Sequence, residues 1–253
     1  MAGFPPGTQR SSGTVAAMRR IVRREGLRGL IGRIGGRIWY WNEKFICTRS
    51  LTTPTNAFEP AMRSHVRRYT AATSEFCAIY QEFTQDTAFM NRFTGEVLCH
   101  IAFVDDVPAS LLWTSLGDCQ ISSLNVSLRL SQGVAYLIEA YTRPGYRGKG
   151  LALFLFNTVS EELTGLGYKR VFLSADVSNR SSLRAIEKAG YDQYYLLLIR
   201  RLAPFERLIA TPCRPEYEGG LRIERIGWGL LPFRRPRWAI TVMEPEVVGS
   251  LPG

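Results

Sequence analysis

The chain has 253 residues, of which 45% are hydrophobic and 21% charged, the balance of an ordinary globular protein with a real core. That length suits one large domain, or one of about 150–200 residues with extensions. Of the formal net charge of +10, residues 1–50 supply +8 (ten Lys/Arg, two Glu) and residues 51–253 only +2 (22 basic, 20 acidic), so a body that binds nucleic acid is not expected.

Residues 1–14, rich in Gly, Pro, Ser and Thr, predict a disordered tail. From 15 to 50 a basic arm is expected. Met18, Ile21, Val22, Leu27, Leu30, Ile31, Ile34 and Ile38 recur at helical spacing among arginines, which predicts a basic amphipathic helix over 15–38. Its glycines each cost roughly 1 kcal/mol relative to Ala, so such a helix needs a partner surface. Three roles fit the arm. It packs on the body or forms a homodimer contact, it lies on an anionic membrane surface, or it is an Arg-rich, acid-poor organelle-targeting segment.

Residues 39–52 predict a strand leading into the body, and 56–96 read as mainly helical and irregular. Residues 97–104 and 107–116 are apolar and β-prone, and Asp105-Asp106 between them predicts a hairpin turn. Strands are expected over 134–142, 170–176, 191–200 and Trp238–Met243. Helices are expected over 151–166, with Leu151, Leu155, Val159 and Leu163 on one side, and from Asn179 to Lys188, closing at Gly190. The strand–helix alternation from 134 to 200 predicts a sheet with at least one parallel pair.

Five cysteines (47, 77, 99, 119 and 213) form no Cys-x-x-Cys pair and are odd in number, which argues against a disulfide framework and a zinc finger. Cys99 and Cys119 read as small buried hydrophobes. His65 and His100 are the two histidines, so no metal site is expected, and His100, in an apolar strand, reads as a satisfied core residue. A reducing, cytoplasmic location is expected, with peripheral membrane contact through the arm as an alternative. No apolar run approaches the roughly 18 residues of a membrane span. No secretory leader is expected, since the first ten residues hold Pro, Gly and Gln and no apolar core follows.

The chemistry concentrates in Arg143-Pro-Gly-Tyr-Arg-Gly-Lys-Gly-Leu-Ala152, between a strand and a helix. Glycines let successive backbone N–H groups converge, the helix start adds free N–H groups and partial positive charge, and Arg147 and Lys149 add full charges. This composition predicts a pyrophosphate site. A P-loop is excluded, because Lys149 is followed by Gly150 rather than Ser or Thr. A dinucleotide fingerprint is excluded, because the residue three after Gly150 is Leu153.

The arrangement Arg147-x-x-Gly150-x-Ala152 instead resembles the Gln/Arg-x-x-Gly-x-Gly/Ala loop of the GNAT (N-acetyltransferase) superfamily. Downstream, Asn179, Ser182 and the run Glu187-Lys188-Ala189-Gly190-Tyr191 resemble that family's Asn-x-x-Ala-x-x-x-Tyr-Glu-Lys-x-Gly-Phe/Tyr signature. The likeness covers residues 97–200 well and the rest poorly. It implies an α/β (α+β) GNAT fold, a mixed central sheet with flanking helices, over 51–253.

It further implies acyl-CoA as co-substrate, usually acetyl-CoA, and direct attack by an acceptor amine carried on a small molecule or peptide. Backbone N–H groups of Arg147, Gly148, Lys149, Gly150, Leu151 and Ala152 would hold the pyrophosphate. The strand end at Ala140, Tyr141 and Thr142 would pair with pantetheine. Asn179 and Ser182 would touch the pantetheine arm or the phosphates. Glu139 is the candidate base, its alternative role being an ion pair. The family's usual acid, a Tyr seven residues after the Asn, is Ile186 here, with Tyr191 and Tyr194 as substitutes, Tyr191 reading better as core. Two other activities compete with the acetyl reading: transfer of a long acyl chain from CoA or an acyl carrier protein, and a non-catalytic acyl-CoA-sensing module.

Overall fold

The computed structural model describes residues 39–53, 58, 60, 62–83, 92–93, 95–121, 126–202, 205–217, 221–225 and 238–242. The expected tail over 1–14 and amphipathic helix over 15–38 lie outside the described residues. The strands are β1 (Trp39–Ser50), β2 (Ser64–Tyr69), β3 (Val97–Val104), β4 (Val107–Ser115), β5 (Cys119–Ile121), β6 (Val126–Leu130), β7 (Val134–Thr142), β8 (Arg170–Asp176), β9 (Asp192–Leu202), β10 (Phe205–Pro212), β11 (Leu221–Arg225) and β12 (Trp238–Val242). The helices are α1 (Ser74–Gln81), α2 (Leu151–Gly165) and α3 (Arg180–Lys188).

One mixed sheet has the order β10-β9-β1-β8-β7-β4-β3-β2, and a smaller one the order β11-β12-β6-β5. In the large sheet β7 and β8 run parallel, while β4 flanks β7 antiparallel. The hairpin β3–β4 forms as predicted, with Asp105 and Asp106 both at positive φ in its two-residue turn. The expected helical character over 56–96 is corrected, because the run holds strand β2 before helix α1. The strand Ser-His-Val-Arg-Arg-Tyr sits at the sheet edge, where charged side chains are tolerated and blunt further pairing.

The described residues among 43–198 and 208–242 form one compact unit, so residues 43–50, expected in the arm, belong to the body. There β1 is an interior strand, with Lys44 to Ser50 opposite Asp176 to Arg170 of β8. A second unit takes in residues 39–42 and 199–207, where the Arg200 guanidinium lies 4.2 Å from the Trp41 ring centroid. No helix among the described residues is long and apolar enough to cross a bilayer.

Strands buried on both faces read as continuous apolar runs, and β3 (Val-Leu-Cys-His-Ile-Ala-Phe-Val) is buried throughout. On one face α2 lays Leu155, Val159 and Leu163, with Ile186 of α3, against Ala102, Leu112, Ala135, Leu137, Val171 and Leu173. On the other, α1 packs Phe76 and Tyr80 on Cys99, Ile101, Phe103, Leu111 and Trp113. Thr73 caps α1 by accepting from Phe76 N–H.

His100 is a core residue, 1% exposed, but only half satisfied. Its Nε2 lies 2.8 Å from Glu162 Oε2, so the ring proton faces the carboxylate, while Nδ1 has no partner among the described residues. Arg68 donates to the other Glu162 oxygen at 2.7 Å. The His100 hydrogen bond holds the Glu162 carboxyl down at about 2, against the opposing effect of burial and with help from Arg68. A lowered folded-state pKa stabilises the fold at pH above the ordinary carboxylate value, and that gain is lost as pH falls through the folded one. The stability advantage of wild type over Glu162→Gln, read from urea midpoints, is therefore expected to shrink as pH falls from about 4.5 to 2. A constant difference across that window would rule the linkage out.

Candidate active site

The site forms where β7 leaves β8. Their parallel ladder runs from Val134 opposite Arg170 to Leu137 opposite Leu173 and stops there. Beyond it β7 stays on β4, and β8 stays on β1 through Asp176. A bulge marks the parting. Trp113 faces Glu139 and Thr114 faces Leu137, so Ile138 is the extra residue. The bulge bends β7 and puts Ile138 and Glu139 on the same face, the one that carries α1 and Trp113. The result is a fork with one β7 edge open.

Alternation identifies the groups on that open edge. Arg143 N–H donates to Ala109 O, and Ser110 Oγ donates to Tyr141 O, so the backbone of Tyr141 faces β4. Ala140 and Thr142 therefore direct their N–H and C=O groups into the fork. Thr142 O accepts from Arg147 Nε at 3.0 Å, and the Thr142 hydroxyl pairs with Ser110 at 2.8 Å. The Tyr141 side chain projects to the α1 face, with Phe83 at 6.1 Å and the Arg147 guanidinium at 5.9 Å from its ring.

The connection to α2 begins with a single 3₁₀ turn, Pro144–Tyr146, in which Tyr146 N–H and Arg147 N–H bond Arg143 O and Pro144 O. Arg143 anchors it through Nη1 to Glu82 Oε2 at 3.0 Å and to Pro108 O at 2.9 Å. Gly148 and Gly150 then take φ of +75° and +82°, which glycine adopts without strain. The first bond of the helix is Phe154 N–H to Gly150 O. The N–H groups of Gly148, Lys149, Gly150, Leu151, Ala152 and Leu153 thus carry no hydrogen bond to the described residues. Six consecutive free donors at a helix start, with Lys149 beside them, suit a pyrophosphate. The Phe58 ring shields one side of this loop. Its Cζ is 2.6 Å from where a Cβ on Gly150 would stand, so glycine is needed there for space as well as for φ.

Asn179 is the N-cap of α3. Its Oδ1 accepts from Ser182 N–H at 3.1 Å and Ser181 Oγ at 3.0 Å. The structure thus brings Asn179 and Ser182 together as a cap at the end of β8, and Asn179 Nδ2 remains without a partner among the described residues.

Glu139 is 46% exposed and ion-paired with Arg92, whose guanidinium lies 5.4 Å from the Trp113 ring centroid. Phe93, Phe76 and Tyr80 surround Trp113 at 5.0, 5.8 and 5.9 Å, making an aromatic floor beside the carboxylate. Ile186 is 3% exposed in the core beneath α2. Tyr191 packs there too, against Phe156 with its hydroxyl 3.4 Å from Ser160, and Tyr194 packs on Phe172. Burial pushes both phenols up to about 12. Burial likewise raises the Cys99 thiol, and pushes Cys119 up to about 12, so neither is a ready thiolate nucleophile. Among the described residues no cluster of three or more His, Cys, Asp or Glu could hold a metal.

Two features escaped sequence reading. One is the bulge at Ile138. The other is a hydrogen bond from Tyr136 OH to Ser174 Oγ at 2.8 Å, across the base of the fork. A polar residue inside the apolar run Val-Phe-Leu-Ser-Ala was the available signal.

No curated protein matches the chain. Among solved structures it is similar to a GCN5-related N-acetyltransferase from Sphaerobacter thermophilus, at 15% identity and TM-score 0.48, covering 76% of this chain and 58% of that one. A GCN5-related N-acetyltransferase from Kribbella flavida matches at 13% identity and TM-score 0.42, covering 67% of this chain and 60% of that one. An acetyltransferase of Bacillus subtilis in complex with CoA matches at 12% identity and TM-score 0.39, covering 51% and 76%. The chain thus spans less than two thirds of the first two structures' lengths. In sequence, the acetyltransferase (GNAT) family matches over residues 59–191. That match takes in the fork, the loop and the cap in one continuous stretch of more than half of the 253 residues, and the chain belongs to the acetyltransferase (GNAT) family.

Proposed function

We propose that the protein transfers an acyl group, most readily acetyl, from acyl-CoA to an amine by direct attack. The six free N–H groups of Gly148 to Leu153 carry this reading, since they form an anion site at the open end of the fork. In this reading the loop and Lys149 hold the pyrophosphate. Ala140 and Thr142 offer backbone groups to the pantetheine amides, as a sheet edge does to a strand. For the Thr142 carbonyl, Arg147 must swing outward, toward the phosphates it would then neutralise. Asn179 Nδ2 is available to the same arm. The amine approaches on the α1 face, where Glu139 takes its proton directly or through water. The acceptor, on a small molecule or a peptide, approaches beside the half-buried Phe93 and Tyr141 rings, with Trp113 buried beneath Arg92.

The burial of Ile186, where the family's usual acid would stand, favours a second reading, a non-catalytic acyl-CoA-binding module. Calorimetric titration of the full chain with acetyl-CoA, free CoA and a long-chain acyl-CoA tests the site. Binding of all three with preference for acetyl is expected. Preference for the long chain would move the activity to long-acyl transfer. No binding by folded protein would overturn the donor assignment. Turnover of acetyl-CoA with any amine excludes the non-catalytic module.

A further inference from the structure

Ile186 leaves unanswered what receives the negative charge on sulfur when the thioester C–S bond breaks. We propose that the Ser174 hydroxyl, oriented by Tyr136, donates a hydrogen bond to the CoA sulfur as it departs. The inference rests on the donor reading above and assigns a residue to the leaving-group side of that site.

Ser174 is the first residue of β8 beyond the ladder with β7, whose last pair is Leu137–Leu173. Tyr136 sits just before the fork on β7, opposite Phe172. Ser174 is two residues on from Phe172 and therefore shares its face. That face is the one carrying Glu139, because Tyr136 pairs with Ser115, two residues from Trp113, and Trp113 pairs with Glu139. The two hydroxyls thus close the fork base on the side from which the amine would come. A cysteamine sulfur at the inner end of a pantetheine running between β7 and β8 would meet them there.

The direction of the bond decides the chemistry. Tyr136 O–H donates to Ser174 Oγ at 2.8 Å. One serine lone pair is therefore engaged, and its own proton has no acceptor among the described residues. A hydroxyl that accepts one bond donates the next more strongly. Tyr136 is 1% exposed, and burial raises its pKa, so it stays a neutral donor. Proton transfer from this pair is not required. The amine nitrogen bonds to the acyl carbon, the C–S electron pair goes to sulfur, and the nitrogen's proton leaves through Glu139 or water. The pair supplies a hydrogen bond to the sulfur anion, which then takes a proton from solvent. Among the described residues the charged and titratable groups near the pair are Asp176 with Lys44, at 2.7 Å, Glu139 with Arg92, and the Cys47 and Cys119 thiols, which act on Tyr136. Ser174→Ala alters none of them.

The test is the thiol pKa of CoA bound to the full chain, read from the ultraviolet absorbance of the thiolate against desulfo-CoA, so no acceptor is needed. Ser174→Ala is expected to raise the bound thiol's pKa by about one unit, a tenfold loss in thiolate fraction at a given pH. Tyr136→Phe should raise it less, and Ser174→Thr should restore it. Desulfo-CoA, lacking the sulfur, should bind wild type and Ser174→Ala equally. An unmoved thiol pKa in a Ser174→Ala protein that still binds CoA would overturn the role. So would an equal loss of affinity for CoA and desulfo-CoA, which marks a packing defect. Failure of wild type to bind CoA would instead remove the donor reading, and the inference with it.

Discussion

Gly148→Asp is expected to weaken CoA binding at least tenfold relative to Gly148→Asn. A Cβ on Gly148 meets nothing within 4 Å, so either side chain fits. The φ of +75° strains any residue with a Cβ, but Asn and Asp tolerate it best, and both variants share that cost. They differ by one negative charge, placed among the free N–H groups of Gly148 to Leu153. A carboxylate about 4–6 Å from a phosphate at a partly exposed site opposes it by roughly 3–4 kcal/mol before salt screening. Tenfold, about 1.4 kcal/mol, is therefore a low floor. Gly150 is the poorer choice, because any side chain there strikes Phe58, and lost affinity could reflect a displaced loop. Calorimetry at two ionic strengths checks the cause, since the Asp penalty should shrink with salt while the Asn variant should not respond. Equal affinities would place the pyrophosphate elsewhere.

This loop was legible in sequence because its determinants are local. Two glycines at positive φ, a helix start and two cations lie within ten residues, and spacing alone excludes other phosphate loops. The amphipathic stripe of α2 was legible for the same reason. The fork was not. Its bulge depends on how β7 registers on β4, a pairing of residues some 25 positions apart in which nothing local marks Ile138 as the extra one. The interior place of β1 depends on residues 120 or more positions downstream. Strand β2 was misread because His65, Arg67 and Arg68 mask its alternation. The Tyr136–Ser174 bond was not read because it joins two strands 38 positions apart, and the lone Ser174 in an apolar run does not name its partner. What sequence supplied was the loop with its free N–H groups. What topology supplied was the fork, where parting strands expose backbone and hydroxyl groups that a continuous ladder would have covered.

Glu139→Gln is expected to lower kcat about a hundredfold while leaving the KM for acetyl-CoA nearly unchanged, the signature of a group used in proton transfer rather than donor binding. The substitution has a second consequence, because it leaves Arg92 without its carboxylate over the face of Trp113. A stranded guanidinium could block an incoming cationic amine by itself, since that amine would seek the same carboxylate and aromatic surface. A double-mutant cycle separates the two causes. If Glu139 takes the proton, Glu139→Gln/Arg92→Gln stays as slow as Glu139→Gln, because removing the guanidinium supplies no base. If the loss came from the stranded arginine, the double variant recovers, chiefly through a lower KM for the amine. The assay follows CoA release from acetyl-CoA with a panel of amines, including an amino sugar, a polyamine and a peptide N-terminus. Recovery in the double variant would remove Glu139 from the chemistry and leave it as the partner that holds Arg92 over the acceptor floor. The proton would then have to leave through Asp176, the other carboxylate on this face of the fork, or through water alone.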